Sequence, residues 1–481
     1  MKRFFLTLSL VIICVAVSAH PWKPSNYVII DTDGGVDDMK AISMLLASRD
    51  VRVLAITVSP GVVTADSAYM KVKSMLNSYY HEGIPVGINR EAKFKSPNYE
   101  NAAVAVWGSS KGIDPLKAPD AIEVILEMVG AESTPVKFIS LGGLSTANLL
   151  LHNEATPIKQ IKELIWSADG INDKKGFNYS IDKEAAKYIS EQSDIPLSIV
   201  RGADILGEQF YNDTFIGSIY AIGTIYGRKV TGYFSSQTAM SHPFSYTAYD
   251  EMVPLFLHYP DLFAKKAAGS VTEYSPVDLI GLRDKYLTII SGETVAPNQV
   301  IQSMPTDPSF YMEDLRPFVE QIIEMYGHDE WTSGVIASEL HRHLGIFAII
   351  GVKMGIRARE YFNTGVDEFT AKSYVGSTPP LSCMNDGIQV STGATPGHGL
   401  LFVNNEPPLS ASVDFTYLDR VISISLKPEL EQQISAELKE INFIYGLDSN
   451  IYWELVRQKT LKYWLEFDRH EIFNIEELMS K

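Results

Sequence analysis

Residues 27–30, a Tyr-Val-Ile-Ile run, read as a short strand apolar on both faces. A polar, glycine-containing stretch follows at residues 31–38, and Ile42, Leu45 and Leu46 then fall at helical spacing. Residues 51–58 form a second apolar strand, ended by Pro60 and Gly61. Asp120 reads as an N-cap, residues 121–129 as a helix and Gly130 as its stop. Residues 136–141 are a strand that runs into Gly142 and Gly143, and Ile165-Trp166 and residues 197–200 continue the alternation. Short apolar strands alternating with helices predict an α/β fold, with a mainly parallel central sheet flanked by helices. Ligands of such sheets sit at the carboxyl ends of the strands. The acidic loop, Leu141 and the loop after Trp166 all fall there.

The pattern loosens between residues 269 and 330. A long helical stretch is expected over 333–362, then a glycine-rich segment over 380–403 that holds Cys383. Residues 413–426 suit a hairpin or two strands, and the chain from Pro428 onward is helical. These features predict an α/β domain over residues 20–330 and a smaller α+β domain over 331–481.

The first 19 residues read as a secretory signal peptide: Lys2 and Arg3, an apolar run over residues 4–17, and a small-residue cleavage site at Ala19. A periplasmic or secreted protein is expected, with no membrane span after cleavage. Ile13 precedes Cys14, which argues against a lipidated start. Cleavage would leave Cys383 as the sole cysteine, so no internal disulfide is expected. The formal net charge of −17 argues against nucleic acid as a partner, since phosphate binding needs a basic patch. A homo-oligomer is expected.

Asp31, Asp33, Asp37 and Asp38 crowd four carboxylates into one loop between a strand and a helix. Such a cluster is kept where a cation neutralises it, and all-oxygen ligands favour a hard ion such as Ca²⁺ or Mg²⁺. Gly34 and Gly35 would let the backbone turn tightly enough for acids on both sides to face one point. The loop resembles the Asp-x-Asp-x-Gly-x-Asp-Asp signature of the inosine-uridine nucleoside hydrolase family. Further segments match that family in order: Ala55 to Gly61, Ile84 to Gly87, Ser140 to Ser145, Phe177-Asn178 with Asp182 to Ala186, and Tyr249 to Leu255. The resemblance covers residues 27–265.

It implies a hydrolase of N-glycosidic bonds that acts on a small ribosyl substrate and serves purine and pyrimidine salvage. Carried over position by position, Asp33, Asp38, Asp250 and the carbonyl of Leu141 would hold one Ca²⁺. Asp37 and Asn178 would bind ribose hydroxyls, with Asp31 behind them. A metal-bound water would attack the anomeric carbon and Asp33 would take its proton. Three positions depart from the family. Val62 stands where an Asn is expected, Gly176 replaces a Glu that contacts ribose, and Tyr249 replaces a His that helps protonate the leaving base.

Residues 333–405 resemble the E-type component of formylmethanofuran dehydrogenase, through His341-Arg342-His343, the Cys383-to-Val390 segment and the Thr392-to-Gly399 run. His341, His343, Cys383 and His398 offer imidazole and thiolate ligands suited to Zn²⁺. Two histidines two apart on a helix diverge by about 200°, so a shared ion requires them where the helix is interrupted. Two other functions compete for the acidic loop: a ribosyl-binding protein without turnover, and a phosphatase of the haloacid dehalogenase type with Asp31 as nucleophile and Asp33 as acid.

Overall fold

The computed structural model describes residues 23–97, 104–170, 176–192, 194–236, 246–292, 300–301 and 303–478. The leader-like residues 1–19 lie outside them. Eight strands form the first sheet: β1 (Asn26–Thr32), β2 (Val51–Val58), β3 (Val86–Ile88), β4 (Val136–Ser140), β5 (Ile161–Ser167), β6 (Leu197–Val200), β7 (Phe263–Ala268) and β8 (Val271–Pro276). Their order is β3-β2-β1-β4-β5-β6-β8-β7, and every neighbouring pair is parallel except the β7–β8 hairpin. All residues of β1 and β2 are buried, as expected of central parallel strands covered on both faces. Each fully buried Ile or Val contributes about 1.5–3 kcal/mol.

The chain leaves β1 for β2 and β3 on one side, then returns to β4 on the other. The strand order therefore reverses between β1 and β4, and a crevice opens beyond their carboxyl ends. Helix Val36–Ala47 starts at the end of β1, and helix Ser145–His152 follows β4. The expected helix after Asp120 is present. Asp120 accepts hydrogen bonds from the amides of Ile122 and Glu123, but the helix runs through Gly130 to Ala131.

A second sheet, of order β10-β9-β11-β12-β13, comprises β9 (Thr370–Ser373), β10 (Leu401–Val403), β11 (Ser412–Tyr417), β12 (Arg420–Leu426) and β13 (Phe473–Leu478). The strands β11 and β12 are the expected hairpin. The single helix expected over 333–362 is two, Val319–His341 and Ile346–Phe362, because Arg342 turns left-handed at φ 67°. The boundary expected near residue 330 falls inside the first of these helices, just past its break at Gly327. No helix among the described residues is long and apolar enough to cross a membrane.

The C-terminal segment packs against the amino ends of the first sheet. Arg52, at the start of β2, donates to both carboxylate oxygens of Glu368 at 2.7 and 2.5 Å and to the carbonyl of Asn363 at 3.0 Å. Arg357 meets Glu82 at 2.9 Å, Arg49 meets Asp329 at 2.8 Å, and buried His81 bonds the carbonyl of Glu360 at 2.6 Å. Strand β2 has eight residues, so these contacts and the crevice stand roughly 25 Å apart, at opposite ends of the same strands.

Candidate active site

Asp31, next to last in β1, is fully closed from solvent. Its Oδ1 accepts from Thr57 at 2.6 Å and its Oδ2 from Ser59 at 3.1 Å. Burial pushes its carboxyl up to about 7, against the hydrogen bonds of Thr57, Thr146 and Ser59. Asp31 is absent from the cavity wall. It ties the loop to β2, and it has no route to a substrate as the nucleophile of a phosphatase.

Gly34 takes the left-handed φ of 79° that the tight turn requires, while Gly35 takes φ −58° as the N-cap. The turn folds Asp38 back over the strand end. Thr32 Oγ1 and the Asp33 amide both donate to Asp38 Oδ1, at 2.5 and 3.2 Å. Buried Lys71 donates to the Gly34 carbonyl at 2.5 Å. Asp33 Oδ1 accepts from the Gly35 amide at 3.3 Å, while its buried Oδ2 meets no donor. Asp37 and Asp38 lie in the first turn of their helix, where the dipole favours negative charge.

Asp250 joins this group from a distant part of the chain. Ligand oxygens of Asp37, Asp38 and Asp250 lie within 4.8 Å of one another. Two like charges about 4 Å apart repel by about 4 kcal/mol at an effective dielectric near 20. The helix dipole returns about 1 kcal/mol per carboxylate, so the remaining repulsion is relieved by a proton or a bound cation. Consistent with this, the Asp33 carboxyl is pushed well up by burial, then by Asp38 and Asp37. That of Asp250 is pushed up by burial, then by Asp37 and Asp38. All-oxygen donors, buried except for the half-buried Asp37 and one of them orphaned, suit a hard divalent cation.

Leu141 presents its carbonyl at the end of β4, where Trp166 pins the next turn through a 2.8 Å bond to the Gly142 carbonyl. Asn178 Nδ2 donates to the carbonyls of Leu141 and Ser167, at 2.7 and 2.9 Å. A carbonyl oxygen has two lone pairs, so this bond leaves Leu141 able to ligate an ion. These groups line a cavity of about 390 Å³ with Val62, Asp169, Phe177, Asp204, Tyr233 and Tyr249. The Tyr249 phenol is raised by burial, then by Asp204 and Asp37, which keeps it protonated as a donor.

The sequence-predicted residues Asp33, Asp37, Asp38, Leu141, Asn178, Tyr249 and Asp250 thus share one cavity. Lys40, Asp169 and Asp204 also line it and were missed. A signal existed for Lys40, the only cation in the apolar helix that follows the loop.

In the C-terminal segment the helix end at Arg342 brings the rings of His341 and His343 to 4.2 Å. His341 Nδ1 bonds Asp386 at 2.7 Å, and its buried Nε2 has no partner. Cys383 is half-buried, and its thiol is pushed up to about 11 by burial and Asp386. His398 is turned elsewhere, 3.3 Å from Asp367. Among the described residues only the acidic trio brings three such side chains close enough to share an ion.

A family model for the inosine-uridine preferring nucleoside hydrolases matches residues 28–298. A second, described as FmdE of the molybdenum formylmethanofuran dehydrogenase operon, matches residues 340–449, further than the motifs reached. The pyrimidine-specific ribonucleoside hydrolase RihA of Salmonella schwarzengrund is 30% identical over 212 residues, 41% of this chain and 66% of that protein. The RihA of Escherichia coli O1:K1 is 30% identical over 194 residues, 37% and 60% respectively. The chain therefore spans slightly less than two thirds of the length of these curated relatives. Two solved structures are similar. The inosine-uridine preferring nucleoside hydrolase from Bacillus anthracis has 15% identity and a TM-score of 0.44, covering 56% of this chain and 99% of its own. The purine-preferring ribonucleoside hydrolase from Gardnerella vaginalis has 16% identity and a TM-score of 0.42, covering 56% and 98%. With a family match that runs from the acidic loop through Asp250 and takes in more than half of its length, the chain belongs to the inosine-uridine preferring nucleoside hydrolase family.

Proposed function

We propose that this protein is an exported, Ca²⁺-dependent hydrolase of the N-glycosidic bond of a ribonucleoside or related ribosyl compound. The observation that carries the reading is the convergence of Asp37, Asp38 and Asp250 beside the orphaned Oδ2 of Asp33, in a cavity of a size suited to a small ligand. Asp33, Asp38, Asp250 and the Leu141 carbonyl would hold the ion. When bound, a divalent cation would lower the pKa of water at the site. Asp33 Oδ2 accepts the proton of the attacking water. Asp37 and Asn178 orient the ribose hydroxyls, which fixes the anomeric carbon against the water. The surrounding carboxylates stabilise the positive charge that develops on the sugar ring. Tyr249 donates to the departing base. The apolar run after Lys2 and Arg3 supports export to the periplasm or medium.

A ribosyl-binding protein without turnover is the second reading. It is favoured by Val62, which lines the cavity where the family pattern calls for a polar contact.

Incubating the protein with a panel of ribonucleosides and Ca²⁺, and measuring free base and reducing sugar, tests the proposal. Sugar release that is lost with a chelator and in Asp33→Ala supports hydrolysis. Ca²⁺ and nucleoside binding without release supports the second reading.

A further inference from the structure

Two helices of the C-terminal segment, Pro428–Tyr445 and Asn450–Glu466, meet at a short turn. Their own seam is filled: Ile441, Tyr452 and Val456 are buried together, with Leu438 and Leu455 against them. The apolar residues at the turn are surplus to that seam. Phe443 is 92% exposed, and Ile444, Tyr445, Leu447, Ile451 and Trp453 are between 43% and 59% exposed. No charged residue lies between Ile441 and Leu447. The indole is fixed in place, since Trp453 Nε1 donates to the Leu447 carbonyl at 2.9 Å and its ring lies 5.1 Å from that of His343. This ring contact joins the turn to the end of helix Val319–His341, where Ile336 and Leu340, four residues apart on one face, are also exposed.

With a whole aromatic side chain presenting about 150–250 Å², the six residues at the turn leave roughly 600 Å² of side-chain surface in water, beyond the few hundred Å² that monomers ordinarily expose in one patch. Specific contacts bury about 800 Å² on each partner, a size the six reach together with their polar rim. That rim carries both signs. Arg342 and Lys439 flank the patch with Glu440, Asp448 and Glu454, all exposed and, among the described residues, without an ion-pair partner. A two-fold contact sets the same surface against itself, so unpaired charges of both signs can meet their opposites across it. Three carboxylates to two cations give the rim no attraction for anionic lipid headgroups. The repulsion between chains of net charge −17 is screened beyond about 8 Å at physiological salt.

We propose that the apolar face at the turn between these two helices docks a second copy of this chain in a two-fold pair, with Phe443 and Ile444 at its centre. Aromatic and aliphatic side chains at the middle and mixed charges at the edge are the composition of a specific contact. The face lies on the segment that packs against the amino ends of the first sheet, so turnover per chain should not depend on pairing.

Sedimentation velocity of the protein at about 20 μM in physiological salt, above the weakest affinity that such an area gives, reads the assembly directly. The wild type should sediment as a dimer or an even multiple of one. Phe443→Glu and Ile451→Glu should each weaken association by roughly 30-fold or more, with melting curves of the dilute protein unchanged. Two exposed positions on different helices keep the test decisive if one variant fails to fold. A wild type that stays monomeric, or an assembly that both variants leave intact, overturns the proposal. Flotation with phosphatidylcholine vesicles, with and without phosphatidylglycerol, addresses a lipid occupant. Vesicle binding by a monomeric wild type that Phe443→Glu abolishes would likewise overturn the second copy.

Discussion

Lys40 Nζ lies 2.6 Å from Oε1 of Glu251, and both side chains are shut off from solvent. The ammonium also sits 4.4 Å from the centre of the Tyr211 ring. Glu251 Oε1 accepts from the Tyr211 hydroxyl at 2.6 Å, and Oε2 accepts from the Tyr249 amide at 3.0 Å. One buried pair thereby holds the segment that carries both Tyr249 and Asp250. Removing one partner strands a charge in the interior, which costs about 3–5 kcal/mol. Lys40→Met should lose that much stability by urea titration, and Lys40→Met with Glu251→Gln should recover part of it. A double variant as unstable as the sum of the singles would show that the pair is uncoupled.

Asp250→Asn should separate stability from ion binding. Neutralising one member of the trio relieves its repulsion with Asp37 and Asp38. The ion-free variant should therefore melt above the ion-free wild type. The rise in melting temperature on adding Ca²⁺, set by affinity, should shrink or vanish. Melting curves with chelator and with Ca²⁺ read both effects.

Tyr249→Phe removes the cavity phenol proposed to donate to the departing base and keeps the ring. Hydrolysis of ordinary nucleosides should slow, by about 100-fold if the hydroxyl acts as general acid. A riboside whose leaving group needs no proton, such as p-nitrophenol, should be cleaved at the wild-type rate. Equal losses on both substrates would assign Tyr249 to positioning instead.

Acid should act on the stability of the protein at His81 before it reaches Glu360. Burial lowers the His81 imidazole to about 4, against a bond to the Glu360 carbonyl. The folded state then stays unprotonated while the unfolded chain takes up a proton below about 6.5. The contribution of His81 to stability should fall as pH drops from about 6.5 to about 4, with a slope of about 1.4 kcal/mol per pH unit. His81→Gln should flatten that window in denaturant titrations. Glu360 answers only at lower pH, because Arg469 and His470 outweigh its burial and hold its carboxyl below the usual range.

Arg52→Met unpairs Glu368 at the junction of the two sheets. The loss should be about 3–5 kcal/mol in denaturant titration. At a temperature where the variant is folded, kcat/KM should stay within about twofold of wild type, since the contact stands roughly 25 Å from the cavity.

The strands β1, β2, β4, β5 and β6 and the acidic loop were legible because each is a local pattern: an apolar run, a turn signal, a periodic helix face; their order in the sheet was not. The hairpin of β7 and β8 was not. Strand β7 lies at the sheet edge with Ala264 to Ala268 exposed, so Lys265 and Lys266 break any alternation. The break at Arg342 was hidden by the apolar residues that resume at Leu344 and by the absence of proline. The clustered acids could be read off because their motif is contiguous, apart from Asp250. Asp169 and the Lys40–Glu251 pair could not, because their partners come from other strands and helices.

The C-terminal segment contacts the amino ends of β1 and β2 while the cavity opens at their carboxyl ends, so the two surfaces share strands and no loops. Loops such as those after β2 and β5 can lengthen, shorten or change residue without disturbing Arg52 or His81. The junction can likewise be remodelled without touching the acids. Selection can therefore alter substrate choice and the attached unit separately, each change exposed to its own constraint and neither held back by the other.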